Sequence, residues 1–167
     1  MGKLFANLAN NHLLSDWAET LDWLLDDKRF SREKGWNRGR VSKYTKSVKK
    51  LFNADANKKN FVCANLADLD FSTGRRPMYP FVMMTNDGSI GKSLVRHIRN
   101  GIAHGNANII KKGGETLIKI DDYNSKAKQT AHICIPLLYI PKMAAIYNEI
   151  EKAARNDRSN SSRKGRQ

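Results

Sequence analysis

The sequence is poor in cysteine, in acid and in long apolar runs. Its two cysteines, Cys63 and Cys134, sit in apolar surroundings without CxxC spacing. They read as reduced core residues of a cytoplasmic protein. The four histidines, at positions 12, 97, 104 and 132, form no HxxxH or HExxH pair. No metal site is therefore expected. No glycine loop matches a P-loop, and nothing supports a serine or cysteine triad, so no cofactor is expected either. No apolar run suggests a membrane span, and the N-terminus lacks a signal-peptide pattern. No internal repeat is visible.

What is abundant is positive charge. Thirty Lys and Arg face sixteen Asp and Glu, a formal net charge of +14 over 167 residues. A basic tail does not account for it. Residues 155–167 hold five Arg or Lys and one Asp, which leaves +10 on the rest. An excess of this size predicts an anionic partner, with nucleic acid as the default. The length suits one domain over residues 1–154 and a disordered basic tail over 155–167.

The basic charge is densest between Lys28 and Lys50, where Glu33 is the single acid. Gly35 and Gly39 predict a loop in its first half, and Val41, Tyr44, Val48 and Leu51 a helix after it. Arg38, Arg40, Lys43 and Lys46 are the candidate phosphate contacts, and Trp36 a candidate for stacking on a base. A charged loop whose Trp36 folds back onto the core is the bland alternative.

Before this stretch, residues 3–27 read as helix, in one or two pieces, with Leu14, Trp17, Leu21, Leu24 and Leu25 as the inner stripe and Ser15 as a cap. His12 reads as structural or surface. After it, 53–60 is a polar linker, 61–71 a short helix and 72–80 a loop carrying Arg75 and Arg76. Residues 81–84 are a short apolar core run. Ser89 or Asp87 is placed to cap the next helix.

That helix is the centre of the chain. Ile90, Leu94, Ile98 and Ile102 recur every fourth residue, and Val95 widens the stripe. This is the period of a helix with one buried face. Arg96, Asn100 and His104 fall on the opposite face, with Arg99 on its flank. Gly101 inside the helix costs about 1 kcal/mol against alanine, so a close backbone approach is expected there. Gly105 is a natural stop.

Arg99-Asn100-Gly101-Ile102-Ala103-His104 resembles the signature of the HEPN superfamily: an arginine, a polar residue, a short spacer and a histidine. Asn directly after Arg, the apolar stripe before it and Gly directly after His sharpen the likeness. The competing reading is a helix C-terminus where His and Arg merely complement the dipole.

After the motif the period changes to that of strands, around residues 109–110, 117–120 and 132–135. Pro141 then suits the start of a last helix with Met143, Ile146, Tyr147, Ile150 and Ala154 inward. His132 reads as a strand surface residue. The expected fold is mainly α. It is a HEPN-like helical bundle with a small β-hairpin or three-stranded ribbon between the motif helix and the C-terminal helix.

Imidazole and guanidinium are sufficient for RNA cleavage, because RNA supplies its own 2′-hydroxyl nucleophile. Histidine exchanges protons at neutral pH, and arginine grips phosphate in two places. His104 is thus the candidate acid–base group, Arg99 the group facing charge on phosphorus, Asn100 an orienting residue and Arg96 a second cation for RNA. His97 points about a third of a turn away from Arg96 and reads as interfacial or structural. One histidine is thin provision for both acid and base. The resemblance implies a homodimer with a composite active site, and metal-independent endoribonuclease activity. It also implies a setting in toxin–antitoxin, phage-defence or CRISPR-associated systems, with a cognate antitoxin as a candidate partner. Two alternatives stay open: a non-catalytic RNA-binding or interaction module of HEPN fold, and a DNA-binding protein.

Overall fold

A computed structural model describes residues 14–52, 60–71 and 80–164. His12, most of the linker at 53–60, and the loop with Arg75 and Arg76 lie outside them. Four α-helices and five strands make up the described residues. They run α1 (Leu14–Leu25), α2 (Arg38–Leu51), β1 (Phe61–Ala64), β2 (Phe81–Thr85), α3 (Ile90–Ala103), β3 (Ala107–Lys112), β4 (Glu115–Tyr123), β5 (Gln129–Pro136) and α4 (Tyr139–Lys164). No helix among the described residues is long and apolar enough to cross a membrane.

The strands form one mixed sheet in the order β1-β2-β5-β4-β3. Only β1 and β2 are parallel. This overturns the expected mainly α bundle: the fold is mixed α/β. The three strands after the motif helix do pair antiparallel, but as part of a larger sheet. The missing pair comes from two segments that read otherwise in sequence. Residues 61–64 are a strand, followed by a single 3-10 turn at Leu66–Asp68 rather than a helix. The apolar run at 81–84 is a strand between β1 and β5. Both segments are too short for periodicity to separate strand from buried helix. Pairing decides it, with Phe61 opposite Val82 and Met84 opposite Ala131.

Alternation assigns the two faces of the sheet. Val82, Met84, Ile118, Ile120, Ala131, Ile133 and Ile135 join the helices in the main core. Phe81, Leu117 and Cys134 form a small cluster of their own. Asp122 continues the inward series after Ile118 and Ile120, so period two carries a carboxylate to the helix side.

Helix α3 lies between that face and the other helices. Leu94, Val95, Ile98 and Ile102 are fully buried, as the stripe predicts. Its two inner glycines mark close approaches. A Cβ on Gly91 would stand 2.9 Å from the Tyr44 ring and 3.2 Å from the Thr45 backbone of α2. A Cβ on Gly101 would meet Ile120 Cγ2 at 2.3 Å and the Asp121 carbonyl at 3.0 Å. The expected backbone approach at Gly101 is therefore to the chain's own β4.

Helix α2 begins earlier than glycine content suggests. Asn37 caps it by accepting from the Arg40 amide at 3.0 Å, and Gly39 lies in the first turn. At the other end of the chain, α4 continues to Lys164, and residues 165–167 of the basic tail lie outside the described residues. Propagating an established helix costs far less than nucleating one.

Candidate functional site

Trp36 is not on the basic surface. It is 2% exposed and stacks on Tyr147 at 4.5 Å between ring centroids, with Phe30 edge-on at 5.0 Å. A tryptophan carries enough apolar area for the aromatic cluster to outweigh solvent contact. Arg29 is buried, its guanidinium donating to the Trp23 and Leu24 carbonyls, but the candidate phosphate contacts stay outside. Arg38, Lys43 and Lys46 are exposed and Arg40 is half-buried.

These cations do not line one groove. Arg38 and Lys46 line a groove of about 660 Å³ between α2 and the segment leading into α3, together with Arg32, Lys49 and Lys92. Arg40 faces a different depression, with Asp26, Glu33 and Glu151. Lys43 lines neither.

On α3 the accessible ridge runs Lys92, Arg96, Arg99, Asn100, Ala103 and His104. Arg96 is ion-paired with Asp87, and Arg99 with Asp27 at 2.6 Å. Both carboxylates are more than half exposed. The two arginines share a groove of about 460 Å³ with Lys28, Arg29 and Lys92. Arg96 also borders a third depression of about 380 Å³ at the ends of β1, β2 and β4. Asp87 lines this depression, the α2 groove and the arginine groove, so these three meet at the start of α3.

The floor of the third depression is a buried His97–Asp122 pair. His97 is 1% and Asp122 3% exposed. His97 Nδ1 donates to Asp122 Oδ2 at 2.7 Å. The same oxygen accepts from Asn100 Nδ2 at 3.4 Å and the Thr130 hydroxyl at 3.3 Å, and Oδ1 accepts from the Tyr123 amide at 3.0 Å. His97 Nε2 lies 3.0 Å from the Thr85 carbonyl and 3.2 Å from Arg96 Nη2. A carbonyl only accepts and a guanidinium only donates, so these contacts require opposite protonation of Nε2. The pair thus ties α3 to β4 and β5 and steadies Asn100, and Nε2 engages either the Thr85 carbonyl of β2 or Arg96 according to its protonation.

The sequence motif is therefore divided. Arg96 and Asn100 come together at the third depression, and Arg96 and Arg99 in the groove beside it. His104 lies outside all three, exposed at the C-cap of α3. The Asn100 amide turns to Asp122. His97 takes the structural role its place on the helix suggested, whereas its partners Asp122 and Thr85 escape sequence reasoning. A signal was present for one of them, the inward alternation of Ile118, Ile120 and Asp122. His132, on β5, is half-buried and held by Asp121 at 2.6 Å.

Among the described residues, no three His, Cys, Asp or Glu side chains are grouped to hold a metal ion. Burial pushes both cysteine thiols above their ordinary range, which disfavours thiolate.

A sequence model of the family described as HEPN pEK499 p136 matches residues 28–160. The chain belongs to that family. Its match spans the basic helix, the sheet, the motif helix and most of α4, so the HEPN assignment rests on far more than six residues. No curated protein and no solved structure matches this HEPN chain.

Proposed function

We propose that this HEPN domain is a metal-independent endoribonuclease that cuts RNA by attack of the 2′-hydroxyl, serving as a toxin or phage-defence effector. One observation carries the reading. The cation-lined groove of α2 and the arginine groove of α3 meet at Asp87, on the accessible side of the motif helix. A phosphate backbone following Arg38 and Lys46 is delivered to Arg96 and Arg99. Asp27 and Asp87 hold these arginines in the free state. Exposed ion pairs are worth about 0–1 kcal/mol, so phosphate displaces the carboxylates at little cost.

In the reaction, O2′ loses its proton to a His104 imidazole and bonds to phosphorus. The P–O5′ bond breaks and O5′ takes a proton. Arg99 faces the charge that builds on the phosphoryl oxygens. Arg96 grips the neighbouring phosphate, and Asn100, held by Asp122, orients it. Five residues of helix separate Arg99 from His104 by about 140° around the axis. They approach one phosphate most directly from two copies of the chain. A two-fold dimer also supplies a second His104, so that one accepts and one donates a proton.

The test is purified protein with RNA in EDTA. Cutting is expected, with 2′,3′-cyclic phosphate and 5′-hydroxyl ends, and a 2′-deoxy sugar at the cut site should resist. Sedimentation should show a dimer at tens of micromolar, on the order of ordinary dimer constants. RNA that is bound but never cut would make the chain a binding module instead.

A further inference from the structure

The geometry points to a nucleobase subsite in the pocket at the ends of β1, β2 and β4: it takes one unpaired base of the RNA, beside the phosphate that Arg96 grips. This rests on the RNA reading above and adds to it a site of base preference.

The chemistry of the walls selects the ligand. The pocket has two carboxylates and one guanidinium, and all three are already engaged. Asp122 accepts from His97, Asn100, Thr130 and the Tyr123 amide. In the free protein Asp87 is paired with Arg96. Little unbalanced charge is left on the floor to draw in a free anion or cation.

What is left is neutral and two-signed. The Asn65 side chain makes no capping bond and is exposed on the wall. Asn86 uses Oδ1 to accept from Ser93 at 3.3 Å, which leaves its amide protons. Asn100 gives Nδ2 to Asp122, which leaves its carbonyl oxygen. Side-chain amides of this kind match base edges, which place donors and acceptors side by side.

The shape agrees. A volume of about 380 Å³ holds one heterocycle and lies at the small end of ligand pockets. Tyr123 stands on the rim at 45% exposure, where β4 ends. An exposed aromatic beside a polar slot is the usual platform for an unstacked base. Arg96 borders both this pocket and the arginine groove. A base in the pocket therefore sits beside a backbone lying in the groove.

The experiment is an amide-resonance titration of the full chain with AMP, CMP, GMP and UMP, and with ribose 5-phosphate. Nucleotides should shift the Asn65 and Tyr123 resonances. Ribose 5-phosphate should leave them in place. Tyr123→Ala should weaken nucleotide binding by about fivefold or more, the worth of one aromatic stacked on a base. Asn65→Ala should alter the ranking of the four bases. Both side chains are exposed, so a wild-type spectrum of each free variant verifies the fold. The proposal is overturned if ribose 5-phosphate shifts the same resonances as the nucleotides, if no nucleotide shifts them, or if both variants bind all four bases like the wild type. RNA cleavage is scored separately. Nucleotides filling the pocket of a protein that cuts no RNA would sink the nuclease and keep the subsite. Cleavage without nucleotide binding would do the reverse.

Discussion

His97 and His104 stand seven residues apart, within about 20° of the same direction around one helix axis, and meet opposite surroundings. His97 is buried and held through both ring nitrogens. His104 is exposed at the C-cap, and no side-chain hydrogen bond joins it to a described residue. The difference lies in the neighbouring layer. Strand β4 passes beneath His97 with Asp122 and beneath Gly101 with Ile120 and Asp121. At His104 the helix has ended, and Gly105, at a φ of 74°, turns the chain into β3. Helical phase gives a direction; the extent of the packed layer decides burial. One histidine is fixed as scaffold, and the other is exposed where the proposed reaction needs a proton-transfer group.

That contrast breaks most sharply in kinetics. His104→Ala should lower RNA cleavage by about 10²- to 10⁴-fold, the worth of a general acid–base group. Its unfolding midpoint should hardly move, since exposed side chains usually contribute within about 0.5 kcal/mol. Arg99→Ala should lower the rate similarly by removing charge stabilisation. A His104→Ala protein that cuts at the wild-type rate would end the assignment.

The other histidine should answer in stability. Asp122→Ala strands the donors of His97, Asn100 and Thr130, and removing one partner of a buried pair costs about 3–5 kcal/mol. Urea denaturation followed by circular dichroism measures it. An unchanged midpoint would mean that the pair holds nothing together.

Gly101 lies between the two histidines and tests the layer itself. Alanine is the better helix former by about 1 kcal/mol. Here its Cβ would press on Ile120 and on the Asp121 backbone. A net loss of about 1–3 kcal/mol is expected, as for other overpacked sites. A stabilised Gly101→Ala would show that β4 gives way easily.

Sequence made the motif helix legible because its signal is periodic and long. Its stripe, its glycine and its stop at Gly105 all read correctly in one dimension. The sheet was only half legible. Strands β3, β4 and β5 are flanked by turn residues, whereas β1 and β2 are four- and five-residue apolar segments whose strand character exists only through pairing. Trp36 was ambiguous for a related reason. A tryptophan among cations reads as a stacking platform until Tyr147, more than a hundred residues later, is seen against it. Asp122 meets His97 across 25 residues, and no local pattern announces that a carboxylate on β4 lies under an imidazole on α3.

The smallest expected effect divides the cations of α2. In sequence, Arg38, Arg40, Lys43 and Lys46 form one basic run. In the fold, Arg38 and Lys46 face the groove that leads to α3, while Arg40 faces acids near α4 and Lys43 lines neither depression. Each cation that neutralises a phosphate of single-stranded RNA steepens the dependence of log affinity on log salt by roughly 0.7. Replacing Arg38 and Lys46 together with glutamine should therefore reduce the slope by roughly 1.4 on that scale. Replacing Arg40 and Lys43 together should leave it close to the wild-type value. The two double variants remove the same formal charge, so a bulk electrostatic effect moves both equally and a directed track moves only the first. Fluorescence anisotropy of a labelled RNA across a salt series distinguishes them. Equal slopes for the two variants would mean that RNA is drawn by net charge and follows no groove to the motif helix.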